Sequence, residues 1–382
     1  MDFDWTAEEV GFRSELLTFI RENVRPDWTH HEREMPEPED REAVLTFCRA
    51  MGERGFLTPH WPKEYGGREA SPWEQAIVSE EIWAAGEPRG PQYMNTNWIG
   101  PALMLAGTEE QKAFHLSMIS RGDAMWCQGF SEPEAGSDLA SLRTSAVRDG
   151  DSYIVNGQKI WTSYAHTADY CFLLVRTDPN AERGEGISIL LVPMDTPGVE
   201  VRDIPNAWCK HVIHEIYFTD AVVPVANRLG DENKGWEIVR AVLANERVGV
   251  GRHECAARTL DGAVADAEAA GVDVEDPAIA DTLGIAYAWT EAARAMNYAA
   301  VNERVHEETG RRPLAAVSRS VTGPMEGVVA AATAEVLGDL ALVKGSVAER
   351  QNAMGTMAPI AAGSLEVQLN LISRLCLNLP KG

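Results

Sequence analysis

A change of periodicity, twice along the chain, limits the folds open to it. Up to about Gly122 apolar residues recur at helical spacing. From there to about Gly235 the segments are short, β-branched and aromatic, and beyond Gly235 the chain is alanine-rich and helical again. In the first third, Thr6 and Glu9 make a T-x-x-E capping box. Phe12, Leu16, Phe19 and Ile20 follow on one helical face. "REAVLTFCRAMGERGF" puts Val44, Phe47, Cys48 and Met51 on another, and "TPHWPKEYGG" reads as a loop. In the middle, "SYIVNGQKIWT" sets Asn156-Gly157 between two strand-like runs, which predicts a hairpin there. "DYCFLLVRT", "GISILLVP" and "HEIYFTDAVVPV" read as further strands. In the last third, "AIADTLGIAYAWTEAARAMNYAAVNERV" and "GVVAAATAEVLGDLALV" read as long helices, with a final helix from about Leu365 to Leu377. The expectation is an α+β multidomain chain: helices over 1–122, a β-barrel or sandwich over 123–234 and a helical bundle over 235–382.

Composition narrows the partners. The 382 residues carry a formal net charge of −24, an acidic surface that argues against nucleic acid or an anionic membrane as partner. Cys48, Cys127, Cys171, Cys209, Cys255 and Cys376 form no C-x-x-C pair, as expected of thiols in a reducing cytoplasm. "MDFDWTAEEV" has no apolar core of a signal peptide, and no run has the length of a membrane span. A cytoplasmic location is expected.

One carboxylate stands out. In "GWEIVRAVLANERVGVGRHEC", laid out at about 100° per residue, Val239, Val242, Leu243 and Val250 form a stripe with Trp236 at its edge. Glu246 falls in the middle of the stripe. A buried carboxylate costs several kcal/mol unless paired or protonated. A structural ion pair and a proton-transfer group both satisfy that requirement.

Common motifs are missing: no G-x-G-x-x-G after a strand, no P-loop, no H-E-x-x-H, no G-x-S-x-G. His211 and His214 lie near Cys209 and Glu215, but residues three apart on a strand face opposite ways, so no metal is expected. Two stretches of the middle region carry more. In "QGFSEPEAGSDLASLRTSA", Ser131, Gly136 and Ser137 surround a proline turn whose N–H and hydroxyl groups suit phosphate or carbonyl oxygens, or merely water. In "NGQKIWTSYAHTADY", Trp161 precedes Thr162 and Ser163. A tryptophan beside hydroxyls suits a heteroaromatic ring, or simply a core.

"SEPEAGSDLASLRTSA" followed by "DSYIVNGQKIWTS" resembles the acyl-CoA dehydrogenase family in content, order and spacing. "WPKEYGG", "DAVVPVANRLGDENKGW" and "GSLEVQ" agree with it. The resemblance implies a helical domain, a β-barrel-like domain and a C-terminal four-helix bundle. It also implies bound FAD and oxidation of the Cα–Cβ bond of a CoA thioester to a trans double bond. By position, Gln128, Phe130 and Ser131 match the segment contacting the flavin. Trp161 matches the residue packed on its ring, with Thr162 beside it, and Ser163 the hydroxyl near N5. Ser137 matches a contact to the thioester ligand, and Ser364 and Glu366 flavin contacts in the C-terminal loop. Electron-transfer flavoprotein is the acceptor the resemblance implies.

Such chemistry needs a base in a dry pocket and donors that polarise the thioester carbonyl. Most of the family sets a glutamate just before Gly-Thr in the C-terminal loop. Here "APIAAGSLEVQ" has Ala362 before Gly363-Ser364. A minority sets it on the first C-terminal helix, in a Glu-Arg pair, and "ANERVGV" matches with Glu246 as base and Arg247 beside it as a substrate contact. Two departures concern assembly. "ADAEAAGVDVEDPAIAD" lacks the arginine and phenylalanine by which homotetrameric members reach a neighbour's FAD, and Asp339 replaces a glycine. The chain resembles the subfamily of bacterial steroid and bulky-acyl catabolism that assembles as α2β2 from two dehydrogenase-like chains; a homotetramer is the other reading. A non-catalytic acyl-CoA-binding or assembly subunit, or a flavin monooxygenase on the same fold, are the competing functions.

Overall fold

The computed structural model describes residues 5–25, 28, 38–207, 212–246, 251–306, 313–344, 346–360 and 363–380; for 38–39, 243–246, 347, 350 and 354 it describes backbone alone. Helices α1 (Ala7–Asn23), α2 (Pro38–Glu53) and α3 (Pro72–Ala84) come first. Two interrupted helices follow. One runs from α4 (Gln92–Met94) through a π-helical turn, Asn95–Ile99, into α5 (Gly100–Ala106). The other runs from α6 (Glu109–Gln111) through a π-helical turn, Lys112–Leu116, into α7 (Ser117–Ser120). Next come β1 (Trp126–Gly129), β2 (Ser145–Asp149), β3 (Ser152–Ser163), β4 (Tyr170–Arg176), β5 (Ile187–Pro193), β6 (Val199–Asp203), β7 (Ile213–Pro224) and β8 (Arg228–Leu229). The chain closes with α8 (Gly235–Glu246), α9 (Arg252–Ala269), α10 (Pro277–His306), α11 (Leu314–Leu337), α12 (Val347–Met357) and α13 (Leu365–Leu375). Helical ends flanking a β-rich middle is the architecture expected.

The helices gather into two compact units. One holds α1, α3 and α9–α13; the other holds α2, α4–α8 and every strand. In the first, Thr6 and Glu9 form the expected capping box, and Phe12, Leu16, Phe19 and Ile20 are buried. The centre of this unit is α11, which packs against α9, α10, α12 and α13. Its core is small: Ala256, Ala263 and Ala267 of α9 meet Ala286 and Ala293 of α10 and Ala332 of α11. Alanine at the contacts lets helix axes approach closely.

In the second unit the strand order is β6-β7-β3-β2-β4-β5-β8, with β1 pairing parallel to β4. Along β4, Cys171, Leu173 and Val175 face one core, and Phe172 and Leu174 face the other. Both faces of this strand are covered, which explains its unbroken apolar run "CFLLV"; in β5 the run "ISILLV" is broken only by Ser188, which is buried. Val44, Phe47, Cys48 and Met51 of α2 are buried as expected.

Asn156-Gly157 is not a turn. The hairpin closes at Gly150-Asp151, with Asp149 opposite Ser152, and Asn156-Gly157 lies inside β3 at a register shift against β7. The local signal loses to tertiary contacts. Asn156 Nδ2 donates to Asp220 Oδ1 at 3.0 Å, and Asp220 N–H donates back to Asn156 Oδ1 at 2.9 Å. Gly157 has φ +152°, and a Cβ there would lie 2.7 Å from Thr144 Cα. Glycine serves close approach here, not chain reversal.

Candidate active-site cleft

An apolar cleft in the second unit is lined by Trp98, Ile99, Gln128, Phe130, Phe172, Val239 and Val242. Four elements build it. Val239 and Val242 come from the stripe of α8 that sequence periodicity outlines, and both are buried. Glu246 ends α8 four residues beyond Val242, a little over one helical turn further along the same stripe. Its side chain lies outside the described residues, as do Arg247 and Ala362 altogether.

Trp98 and Ile99 come from the first π-helical turn. The turn is held by two fully buried amides: Gln92 Nε2 donates to the Gly122 carbonyl at 3.0 Å, and Asn95 Nδ2 to the Ala124 carbonyl at 2.9 Å. These tie the turn to the residues leading into β1. On β1, Gln128 sits opposite Phe172 of β4, and the Phe130 and Phe172 rings lie 6.0 Å apart.

A second feature lies at the end of β3. Between Lys159 and Thr162 the pairing with β7 slips: three steps on β3 answer two on β7, Ile216 to His214. The extra residue is a β-bulge, and Trp161 within it has φ +61°. Left-handed backbone at a bulky residue costs about 1 kcal/mol or more. Its side chain is 58% exposed, so it is not a core tryptophan. Thr162 is buried, and its Oγ1 has no hydrogen-bond partner among the described residues. Ser163 is partly buried beside it.

Ser131 and Phe130 are strapped to this bulge. Ile160 N–H donates to the Ser131 carbonyl at 2.9 Å. Lys159, fully buried, donates from Nζ to the Phe130 carbonyl at 3.1 Å and to Glu132 Oε1 at 2.8 Å. Glu132 also accepts from the N–H groups of Arg143 at 2.6 Å and Thr144 at 2.8 Å. Burial pushes the Glu132 carboxyl up, but Lys159 and these hydrogen bonds win and hold it below the usual carboxylate range. Burial, opposed by Glu132, lowers the Lys159 ammonium from its ordinary value.

The stretch "SEPEAGSD" thus divides. Glu132 is an internal anchor, whereas Ser137 is exposed on a turn flanked by the surface pairs Arg143–Glu134 (3.2 Å) and Arg183–Asp138 (2.6 Å). Ser364 and Glu366 belong to the first unit. Ser364 precedes α13, and its hydroxyl with the local backbone lowers the exposed Glu366 carboxyl. Of the group near His214, Cys209 and His211 lie outside the described residues; His214 is buried and stacks on His166 at 4.6 Å.

The structure therefore brings Gln128 and Phe130 together in the cleft and ties Phe130 and Ser131 to the bulge carrying Trp161 and Thr162. Trp98, Ile99, Phe172, Glu132 and Lys159 are additions that sequence reasoning missed. An exposed tryptophan face beside a buried, unpartnered hydroxyl suits a flat heteroaromatic cofactor with polar edges.

Three family models match the chain: acyl-CoA dehydrogenase N-terminal domain over residues 6–123, middle domain over 127–221 and C-terminal domain over 233–377. It is 36% identical to acyl-CoA dehydrogenase FadE26 of Mycobacterium tuberculosis, over 87% of this chain and 86% of that one. It is 32% identical to acyl-CoA dehydrogenase IpdE1 of the same organism, over 97% of each. Among solved structures it is similar to the Tcur3481-Tcur3483 steroid ACAD (TM-score 0.89, 33% identity, all of both chains). It is also similar to the ChsE4-ChsE5 complex from Mycobacterium tuberculosis (TM-score 0.86, 31% identity, all of both chains). Among the described residues no helix is long and apolar enough to cross a membrane.

Proposed function

The chain belongs to the acyl-CoA dehydrogenase family, and from that premise we propose that it oxidises a bulky, steroid-like CoA thioester with Glu246 as the α-proton base and FAD as its cofactor. The carrying observation is that the α8 stripe walls the same apolar cleft as Gln128 and Phe130. The proposed base is the carboxylate one turn beyond Val242 on that stripe, and a carboxylate in a poorly hydrated space has its proton affinity raised toward neutrality. Alanine at position 362 cannot do this work.

Trp161 would stack on the flavin ring, Thr162 and Ser163 would hydrogen-bond its polar edge, and Gln128, Phe130 and Ser131 would border it. Ser364 and Glu366 are proposed as further cofactor contacts, and Ser137 and Arg247 as contacts to the substrate. FAD, when bound, supplies a two-electron acceptor for the β-hydride. The chain's own part is to exclude water through Trp98, Phe130 and Val242, to orient the Cα–H bond and to receive its proton on the Glu246 carboxylate. The α-carbanion character this generates needs donors at the thioester oxygen.

Partner and acceptor belong to the same proposal. The acidic 265–281 segment and Asp339 favour an α2β2 assembly with a second dehydrogenase-like chain over a homotetramer. Of the similar structures, one is the Tcur3481-Tcur3483 steroid ACAD and another the ChsE4-ChsE5 complex. Electron-transfer flavoprotein is the proposed acceptor. The test is anaerobic bleaching of the yellow protein by CoA thioesters graded from short straight-chain to steroid-like. The protein is purified alone and after co-expression with a neighbouring homologue. Bleaching that survives in Trp161→Phe and is lost in Glu246→Gln supports the reading. Absence of bleaching with every thioester under both conditions would sink it.

A further inference from the structure

In the first unit three metal-ligating side chains converge. His253 Nε2 lies 3.0 Å from Glu80 Oε1 and 3.7 Å from Glu254 Oε1. All three atoms fall within 4.8 Å of one another. The backbone explains the convergence. Gly251, entering α9, donates its N–H to Ser79 Oγ at 3.1 Å, and a Cβ there would lie 2.7 Å from Glu80 Cα. Glycine lets α9 begin pressed against α3, and that delivers His253 to Glu80. Glu80 and His253 are buried, and Glu254 is partly open to solvent.

The basic side chains around this point pair directly with other carboxylates, and Arg13 acts on Glu80 and Arg294 on Glu254 only through the field. Arg13 is taken by Glu81 at 2.5 Å, Arg252 by Glu326 at 3.0 Å and Arg294 by Glu291. No lysine or arginine among the described residues forms an ion pair with Glu80 or Glu254. A proton shared by His253 and Glu80 offsets one charge, whereas a divalent cation offsets both.

We propose that Glu80, His253 and Glu254 form a structural site for one divalent transition-metal cation, with zinc the best match. One imidazole and two carboxylates are zinc ligands, and bonds of about 2.0–2.2 Å in a tetrahedron set ligand atoms roughly 3.4 Å apart. The two separations measured from His253 bracket that value. The metal takes the place of the Nε2 proton, and a water completes the set. Tyr298 donates its hydroxyl to Glu80 Oε2 at 3.1 Å, fixing the carboxylate as outer-shell partners of metal ligands do. The half-open Glu254 side supplies an entry path. Sequence patterns give no hint of this, because His253 and Glu80 stand 173 residues apart.

The test uses the purified, cofactor-loaded full chain, dialysed against a chelator and titrated with zinc chloride by calorimetry. Metal content is counted by mass spectrometry, and cobalt(II) serves as an absorbing substitute. One zinc per chain, a raised Tm on loading and a tetrahedral cobalt spectrum are expected. His253→Ala and Glu254→Gln should weaken zinc by roughly 10–100-fold or more. Glu254→Gln is near-isosteric and partly exposed, so it reports even if His253→Ala fails to fold. Zinc bound equally well by Glu254→Gln, or not bound in stoichiometric amount by the unmodified chain, overturns the proposal.

Discussion

Lys159→Met removes one charge and keeps most of the volume of a side chain that is wholly buried. Its Nζ is 2.8 Å from Glu132 Oε1, so the variant leaves a carboxylate, itself only 9% exposed, without its counter-ion. Breaking a buried pair from one side costs about 3–5 kcal/mol. Two terms moderate the loss. Glu132 keeps the Arg143 and Thr144 amides, and the variant no longer buries an ammonium. The lower end, about 3 kcal/mol, is therefore expected. At about 2–4 °C per kcal/mol for a unit of this size, Tm should fall by roughly 6–12 °C.

The pH dependence has a definite sign. The folded Glu132 pKa lies below its ordinary 4.5, so its contribution is full above that value and is lost as pH falls through the depressed one. Without Lys159 this depression shrinks, and the gap between variant and wild type narrows in acid. Lys159, lowered from 10.5, has a folded state that sheds its proton before the unfolded chain does. Wild-type stability therefore rises with pH between those two values. Thermal unfolding of Lys159→Met, Glu132→Gln and the double variant completes the cycle. The double should cost clearly less than the sum of the singles, because no buried charge is then stranded. Singles that simply add, or a Lys159→Met loss under about 1 kcal/mol, refute the reasoning.

Four further outcomes are expected. Gly100→Ala puts a Cβ 2.0 Å from Cζ2 of the buried Trp61, an overpacking cost of about 1–3 kcal/mol or more. Gly262→Ala in α9 meets nothing within 4 Å and should gain about 0.4–1 kcal/mol in the same denaturation assay. His115 is held neutral by burial, with its pKa lowered from 6.5 to about 4. It takes up its proton later than the unfolded chain does, so stability drops as pH falls from 6.5 toward 4, and His115→Gln should flatten that limb of a Tm-against-pH curve. Trp161→Gly removes left-handed strain of about 1 kcal/mol. Its apo Tm should not fall, while FAD affinity measured by flavin fluorescence should.

Local pattern reached what local physics decides. The capping box at Thr6, the buried face of α1 and the α8 stripe need only a repeat distance; the first two are present, and of the stripe Val239 and Val242 are buried, while the side chains of Leu243 and Glu246 and all of Val250 lie outside the described residues. The α+β architecture follows from where those repeats switch. The pattern failed wherever a distant residue decides the outcome. Asn156-Gly157 carries the turn signal, yet Thr144 and Asp220 keep it in a strand. In "SEPEAGSD" the two glutamates look alike, and only Lys159, 27 residues away from Glu132, makes that one an anchor. Ser364 and Glu366 could be matched by position, but sequence says nothing of their geometry.

Two of the cleft residues that sequence missed, Trp98 and Ile99, share a setting with Trp161, which sequence did name: a break in a regular element. Trp98 and Ile99 stand in a π-helical turn, and Trp161 stands in a bulge. Each is a one-residue insertion into a regular element, and each re-aims a side chain that regular spacing would place elsewhere. A 3.6-residue or two-residue period cannot find such positions, because they exist by breaking it. An insertion also wastes backbone hydrogen bonding, so it persists only where buried polar groups make up the loss. Gln92 and Asn95 do this for the turn, and Lys159 with the Ser131 carbonyl for the bulge. These ties set where Trp98 and Trp161 point. Losing one lets the element relax toward regular geometry, so the cleft should lose its shape before the unit loses its fold.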